Sequence, residues 1–263
     1  MFSEKRILKQ KIIQIKLNNL DFLYNFKACL CRLFFCLNLY FMIEKTVIIT
    51  AGGIGKRMNS DLPKQFIEID EKSILAHTIA CFHAYDSEIQ ILVTLPSEWI
   101  EYWNKWCFTK SFNIKHQIIE GGNERYHSIK NALNLAKGSL IAIHDGVRPL
   151  VSTETIAKAF ELANEKGNAV PVFPIKESIR FIKSNETNSL DRNNYFIVQT
   201  PQVFSADLLR KAYERNFHDF ITDDASLVEE LGEKIYTFEG NEENIKITTP
   251  FDLSLMSIFL GKP

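Results

Sequence analysis

From residue 45 onward, continuous apolar runs alternate with stretches whose apolar residues recur at helical spacing. "KTVIIT" (45–50) is an apolar run of strand length, and "SILAHTIACFHAY" (73–85) has the periodicity of a helix packed on one side. "IQILVTLP" (89–96) predicts a second strand, and "SEWIEYWNKWCF" (97–108) a helix that Ser97 would cap. "KHQIIEGG" (115–122) leads into "ERYHSIKNALNLAKG" (124–138), which reads as a helix ended by Gly138. "SLIAIHDGVRP" (139–149) predicts a strand running into a charged loop. "STETIAKAFELANEKG" (152–167) predicts a capped amphipathic helix, and "NAVPVFPI" the strand after it. This order implies an α/β fold with a three-layer, mainly parallel sheet, whose ligands sit beyond the carboxyl ends of the strands. Residues 174–200 break the rhythm: two extended segments flank a polar turn, the pattern of an arm projecting from the sheet.

Composition changes this picture at the N-terminus. The chain has 263 residues and a formal net charge of −1, with no excess of positive charge for coating nucleic acid. Residues 1–41 hold seven basic residues against two acidic ones, a net +5, which leaves −6 for residues 42–263. Three of the five cysteines, Cys29, Cys31 and Cys36, fall in this opening stretch. Arg32 interrupts its apolar run, no small-residue cleavage site precedes Met42, and the run is too short for a membrane span. Residues 1–41 are therefore read as an extension outside a domain of residues 42–263, with a membrane or partner anchor as the alternative. Cys81 and Cys107 lie in apolar surroundings without metal spacing, as reduced fillers of a cytoplasmic protein would.

The candidate chemistry begins in "TVIITAGGIGKRMNSDLPKQF" (46–66), where a strand breaks into glycines followed by basic residues. Glycines placed there let backbone N–H groups approach a phosphate. A dinucleotide fingerprint would need a glycine where Met58 stands, although Asp70 lies near the position of a ribose partner. A Walker A loop would need Ser or Thr where Arg57 follows Gly55-Lys56. A structural glycine turn is the plain alternative. A triphosphate wrapped by Gly52, Gly53 and Gly55, with Arg57 and Lys64 following its charge, accounts for all of these residues. Fixed cations of this kind, with Mg²⁺, stabilise the charge that grows on an attacked α-phosphate and on departing pyrophosphate.

The stretch resembles the nucleotidyltransferase signature, a glycine-rich loop with a basic residue and then "PKQ". The likeness continues in "GGNERYHSI" (121–129), "HDGVRP" (144–149), "DRN" (191–193), "QTPQVF" (199–204), "TDDASLVEELG" (222–232) and "NIKITTPFDL" (244–253). Together these are similar to the 2-C-methyl-D-erythritol 4-phosphate cytidylyltransferase family of the non-mevalonate isoprenoid pathway. The resemblance spans residues 45–255. It implies a Rossmann-like sheet of the nucleotide-diphospho-sugar transferase type, CTP and a polyol phosphate as substrates, Mg²⁺ as cofactor, and a homodimer embraced through the 174–200 arm.

On the matching positions, the resemblance implies that Arg57, Lys64 and Lys246 stabilise the α-phosphorus. On sequence alone, Lys246 reads as well as a solvated strand-end charge. Ala51, Gly52, Gly53, Gly55, Gly122, Asn123 and Ser128 would bind CTP, with Asn123 standing where the family commonly has aspartate. Asp145 would contact ribose, substrate hydroxyls or Mg²⁺, which would otherwise rest on the CTP phosphates. Arg148, Ser178, Arg192 and Thr200 would join Asp145 in binding the polyol phosphate, Ser178 and Arg192 reaching the site of the neighbouring subunit. Ser178 replaces the usual threonine and keeps its hydroxyl. Arg125 is assigned a structural role, capping its loop or bridging it to a neighbour, and His144 a place in the core. Ribitol 5-phosphate cytidylyltransferases are the alternative within the class, and a non-catalytic nucleotide-binding module or a dehydrogenase the alternatives outside it.

Overall fold

A computed structural model describes residues 44–53, 62–184 and 186–261. The expectations for residues 1–41, Gly55 and Arg57 lie outside the described residues.

Among the described residues, eight strands form one sheet in the order β10-β7-β11-β6-β1-β4-β5, with β12 on β7. The strands are β1 (Lys45–Thr50), β4 (Gln90–Leu95), β5 (Gln117–Glu120), β6 (Leu140–Asp145), β7 (Asn168–Pro174), β10 (Phe196–Val198), β11 (Gln202–Ser205) and β12 (Thr237–Glu239). β11 runs antiparallel to both β6 and β7, and β10 antiparallel to β7; the other six share one direction. Two small ribbons stand apart from the sheet. One joins β2 (Glu68–Ile69) to β3 (Lys72–Ser73), the other β8 (Arg180–Lys183) to β9 (Glu186–Ser189).

The central strands are apolar on both faces because helices cover both. On one side, Val47, Ile49, Val93 and Ala142 pack under α1 (Ile74–Tyr85), α2 (Ser97–Thr109) and α4 (Thr153–Lys166). On the other, Ile48, Leu92, Ile141 and Ile143 meet α3 (Arg125–Leu133), α5 (Ala206–Ala212) and α6 (Asp224–Glu229). Alternate residues of each strand thus feed opposite layers. A smaller cluster of Ile74, Val147, Ile247 and Met256 seats the C-terminal helix α7 (Pro250–Leu260). All three tryptophans, Trp99, Trp103 and Trp106, lie on α2, where Phe66 sits within 5.5 Å of the Trp99 ring and 6.1 Å of the Trp103 ring, centroid to centroid.

Local chemistry explains most element ends and corrects three expectations. Ser73 and Ser152 accept N–H bonds from Ala76 and Thr155 as N-caps, and Gly167 closes α4 in the left-handed region at φ 88°. Ser97 does not cap α2: it is the first helical residue, and Pro96 takes the cap position with no side-chain bond. α3 stops at Leu133, short of Gly138. Gly138 is needed for close approach instead, since a Cβ there would lie 2.6 Å from the Thr46 amide nitrogen and 2.7 Å from the Glu44 carbonyl oxygen. The 174–200 segment is an arm only in part. Its hairpin β8–β9 pairs with itself, but Phe196–Val198 return to the main sheet as β10 because they pair with Val172–Pro174.

Gly138→Ala is therefore expected to destabilise the fold by roughly 2–3 kcal/mol, because backbone rather than a flexible side chain must give way. A thermal melt should show a midpoint about 4–12 °C lower; an unchanged midpoint would contradict the packing described.

Candidate active site

Parallel register places the carboxyl ends of three central strands side by side. Thr50 at the end of β1 is level with Asp145 on β6 and with Thr94 on β4. The chain leaves β1 as Ala51, Gly52 and Gly53. Ala51 donates its N–H to the Thr94 carbonyl (3.0 Å) and accepts from Gln65 Nε2 (2.7 Å). A Cβ built on Gly52 or Gly53 would meet nothing within 4 Å among the described residues, so these glycines border open space rather than a packed neighbour.

The loop after β5 forms the facing wall. Gly121 donates to the Leu95 carbonyl (2.8 Å), and Gly122 donates to Ser128 Oγ (3.0 Å), whose hydroxyl lies 3.1 Å from the Glu124 carbonyl. Gly122 fits against α3 only without a side chain, because a Cβ would fall 2.4 Å from that of His127. Between the two loops lies a cavity of about 330 Å³, lined by Ala51, Gly52, Gly53, Lys64, Gly122, Asn123, Ser128, Asp145 and Lys246 among others.

Two lysines far apart in sequence meet there. Lys64 begins a single 3-10 turn after Pro63 and is buried, its Nζ donating to the Ile247 carbonyl at 2.9 Å. Lys246 precedes Ile247, whose own N–H is fixed to the Val147 carbonyl (2.9 Å). The next turn is held by a capping box in which Asp252 accepts the N–H groups of Thr248 and Thr249. Lys246 is thus presented from a pinned loop while its side chain stays 44% exposed.

Asp145 is the centre of charge. Lys246 Nζ and Arg148 Nε each lie 3.1 Å from its Oδ2, and Arg125 Nε lies 3.8 Å from its Oδ1. Burial alone would push this carboxyl up, but Arg125, Lys246 and Arg148 together hold it well below the usual carboxylate range. Arg125 also reaches Asp224 Oδ2 at 2.6 Å, so it bridges two carboxylates; burial opposes its charge, and Asp224 and Asp145 outweigh that.

A second cavity of about 260 Å³ adjoins the first, with Arg125, Asp145 and Lys246 common to both and Arg148, Gln199 and Thr200 on its far side. The hydrogen bonds beneath it settle the state of His144. Burial lowers its pKa to about 4, so the ring is neutral near pH 7. Nε2 faces the Arg148 carbonyl (3.1 Å), an acceptor, and must carry the proton. Nδ1 then accepts from the Thr200 hydroxyl (3.0 Å), whose oxygen accepts the Asp145 N–H (3.1 Å). His144 is a core residue, as the strand alternation indicates.

Ser178 and Arg192 are not brought to these cavities within one chain. Ser178 is exposed at the base of the arm, and Arg192 donates to the Lys176 carbonyl. Sequence reasoning assigned no role to Gln65, Glu124 or Asp224, although "PKQ", "GGNERYHSI" and "TDDASLVEELG" contain them. Its bridge for Arg125 is observed, but sequence could not show that the two piers are Asp145 and Asp224.

A mainly parallel sheet carries paired loops over a two-chambered cavity at the carboxyl ends of its strands, and comparison with known proteins places this arrangement among the nucleotidyltransferases. A family model for 2-C-methyl-D-erythritol 4-phosphate cytidylyltransferase matches residues 45–262, and the chain belongs to that family. The enzyme of that name from Bacteroides fragilis is 48% identical over 217 residues, covering 82% of this chain and 99% of its own. Its Clostridium perfringens counterpart is 40% identical over 81% of this chain and 97% of its own. Among solved structures, 4-diphosphocytidyl-2C-methyl-D-erythritol synthase from Anaerococcus prevotii superposes with a TM-score of 0.71 at 25% identity, over 83% of this chain and 96% of that one. The Thermus thermophilus cytidylyltransferase gives 0.66 at 29% identity, over 82% and 98%.

Asp145→Asn removes the anion among three cations, two of them largely buried. It should cost roughly 2–4 kcal/mol, discounted for the exposure of Lys246. Sulfate should return part of the lost melting temperature by replacing that anion; a variant that melts like the parent without sulfate would contradict the electrostatic account.

Proposed function

We propose that the chain transfers the cytidylyl group of CTP to 2-C-methyl-D-erythritol 4-phosphate. The products are 4-diphosphocytidyl-2-C-methyl-D-erythritol and pyrophosphate, in isoprenoid precursor biosynthesis. The observation that carries this reading is the pair of adjoining chambers with a shared wall of Arg125, Asp145 and Lys246. The nucleotide occupies the glycine-walled chamber. There the small residues of both loops leave a slot for the flat base, bounded by backbone groups and Ser128. The polyol phosphate occupies the second chamber, against Arg148, Thr200 and Asp145. The family match sets aside the ribitol 5-phosphate alternative.

A phosphate oxygen of the polyol phosphate attacks the α-phosphorus, a new P–O bond forms, and the bond to the bridging oxygen of pyrophosphate breaks with its electrons. The nucleophile is already anionic, so no side chain need take a proton, in keeping with a neutral, buried His144. Negative charge grows on the α-phosphate and the leaving group. Lys64 and Lys246 meet it from two sides, with Arg57 assigned to the same charge by resemblance. Among the described residues no three His, Cys, Asp or Glu side chains converge as a metal cage. Mg²⁺ would be held chiefly by triphosphate oxygens, and Asp145 is the carboxylate of the shared wall that could add a protein ligand by exchanging one of its cation partners. When bound it would draw charge from the departing pyrophosphate.

The arm suits a partner subunit. Phe181, Ile182, Phe196 and Ile197 are all at least 48% exposed, an apolar surface that a second copy of the chain would cover. In such a homodimer Ser178 and Arg192 complete the partner's polyol-phosphate site. A cytoplasmic setting accords with Cys81 and Cys107 being free thiols. Among the described residues no helix is long and apolar enough to cross a membrane.

Pyrophosphate release should require CTP, Mg²⁺ and the methylerythritol phosphate together. Equal turnover with ATP or GTP would refute the base pocket, and faster turnover with ribitol 5-phosphate would refute the substrate. The shared site makes a separate prediction. Arg192→Ala and Lys64→Ala chains, each nearly inactive, should regain roughly a quarter of parental activity once subunits exchange, since about half the dimers are mixed and each holds one intact site. No recovery in demonstrated heterodimers would place both residues in the same chain's site.

A further inference from the structure

A third cavity of about 280 Å³ lies beside α3, between Tyr126 and the segment around Thr222, and among the described residues Arg125 alone borders all three cavities. It stands at the first position of α3 with a third of its side chain exposed. From it a line of alternating charge runs through the molecule. The Tyr213 hydroxyl donates to Asp224 Oδ1 (2.6 Å), Asp224 Oδ2 accepts from Arg125 Nη2 (2.6 Å), Arg125 Nε faces Asp145 Oδ1, and Asp145 Oδ2 faces Lys246. Asp224 is completely buried, so the far end of the line does not move with solvent.

We propose that Arg125 is a positioning residue for cytidylyl transfer, acting through Asp145 on Lys246. This rests on the reading that Lys246 works at the phosphates. Lys246 is long and partly exposed, and Asp145 is the carboxylate that tethers it. A carboxylate turns readily about its last bond unless both oxygens are engaged. Arg125, braced on Asp224, sets its positive charge 3.8 Å from Oδ1, an ion pair longer than a hydrogen bond, and this favours the carboxylate orientation in which Oδ2 is directed at Lys246 and Arg148. A planar, forked cation is suited to linking two carboxylates; an ammonium is a single point of charge. The competing explanation is that Arg125 only neutralises buried Asp224. That role would show in stability and be indifferent to Lys246.

The test is steady-state kinetics and melting of Arg125→Gln, Arg125→Lys and the double variant Arg125→Gln/Asp224→Asn, each with and without Lys246→Ala. The double variant removes both buried charges, so it separates folding from positioning. It should melt closer to the parent than Arg125→Gln does, yet keep a kcat lowered about 10²-fold, the scale expected for misplacement by an ångström, with KM for CTP little changed. Arg125→Lys should not rescue kcat. With Lys246→Ala already present, removing Arg125 should cost little more, because the two act as a unit. Parental kcat in the double variant would overturn the proposal, and so would losses that multiply in full with Lys246→Ala. Parental activity in Lys246→Ala alone would instead refute the role of Lys246, and the proposal with it.

Discussion

The Asp145 carboxylate has to exist as an anion in a place where burial penalises charge. It can do so only because three cations arrive from three separate stretches of chain: Arg125 from the start of α3, Arg148 from the loop after β6, and Lys246 from the loop before α7. Each delivery depends on a different part of the fold. The Gly122–Ser128 turn sets the start of α3, the His144–Thr200 bonds brace the end of β6, and the Asp252 capping box fixes the last loop. Along the two chambers Lys64, Arg125, Arg148 and Lys246 stand among Glu124, Asp145 and Asp223, with Asp224 buried behind Arg125. Charges of both signs are interleaved there, and each cation is held by a fixed acceptor.

The sheet was legible because its strands are apolar on both faces, which only a sheet covered on both sides requires. "KTVIIT", "IQILVTLP" and "SLIAIHD" announce themselves by that pattern alone. Errors fell where a residue's local preference was overruled by a neighbour. Ser97 is a good cap in isolation, but Pro96 occupies the cap position. Gly138 would end a helix well, but Thr46 and Glu44 need the space where its side chain would be. Asp145 could be placed at the ligand edge from strand alternation, and His144 sent to the core by the same count. The convergence of Arg125 with Asp224 could not be foreseen, since 99 residues separate them and no periodicity links them. Family motifs named segments without saying which side chains within them meet.

The residues expected at the site divide by element. Among the described residues, those on the sheet edge and its loops line the two adjoining cavities, and Lys64 and Lys246 are joined through the Ile247 carbonyl. Ser178 and Arg192, which flank the β8–β9 ribbon, line neither cavity and belong to a segment whose large side chains are exposed.

The crowding of every tryptophan onto α2 gives the molecule a built-in optical probe with an unusually narrow field of view. Phe66, packed between two of those rings, closes the same short turn that Lys64 opens. Tryptophan emission from this protein is emission from the support under Lys64. Ligand-induced shifts of that turn would register directly in the spectrum, while rearrangement of the arm or of α7 would pass unseen unless transmitted through the sheet.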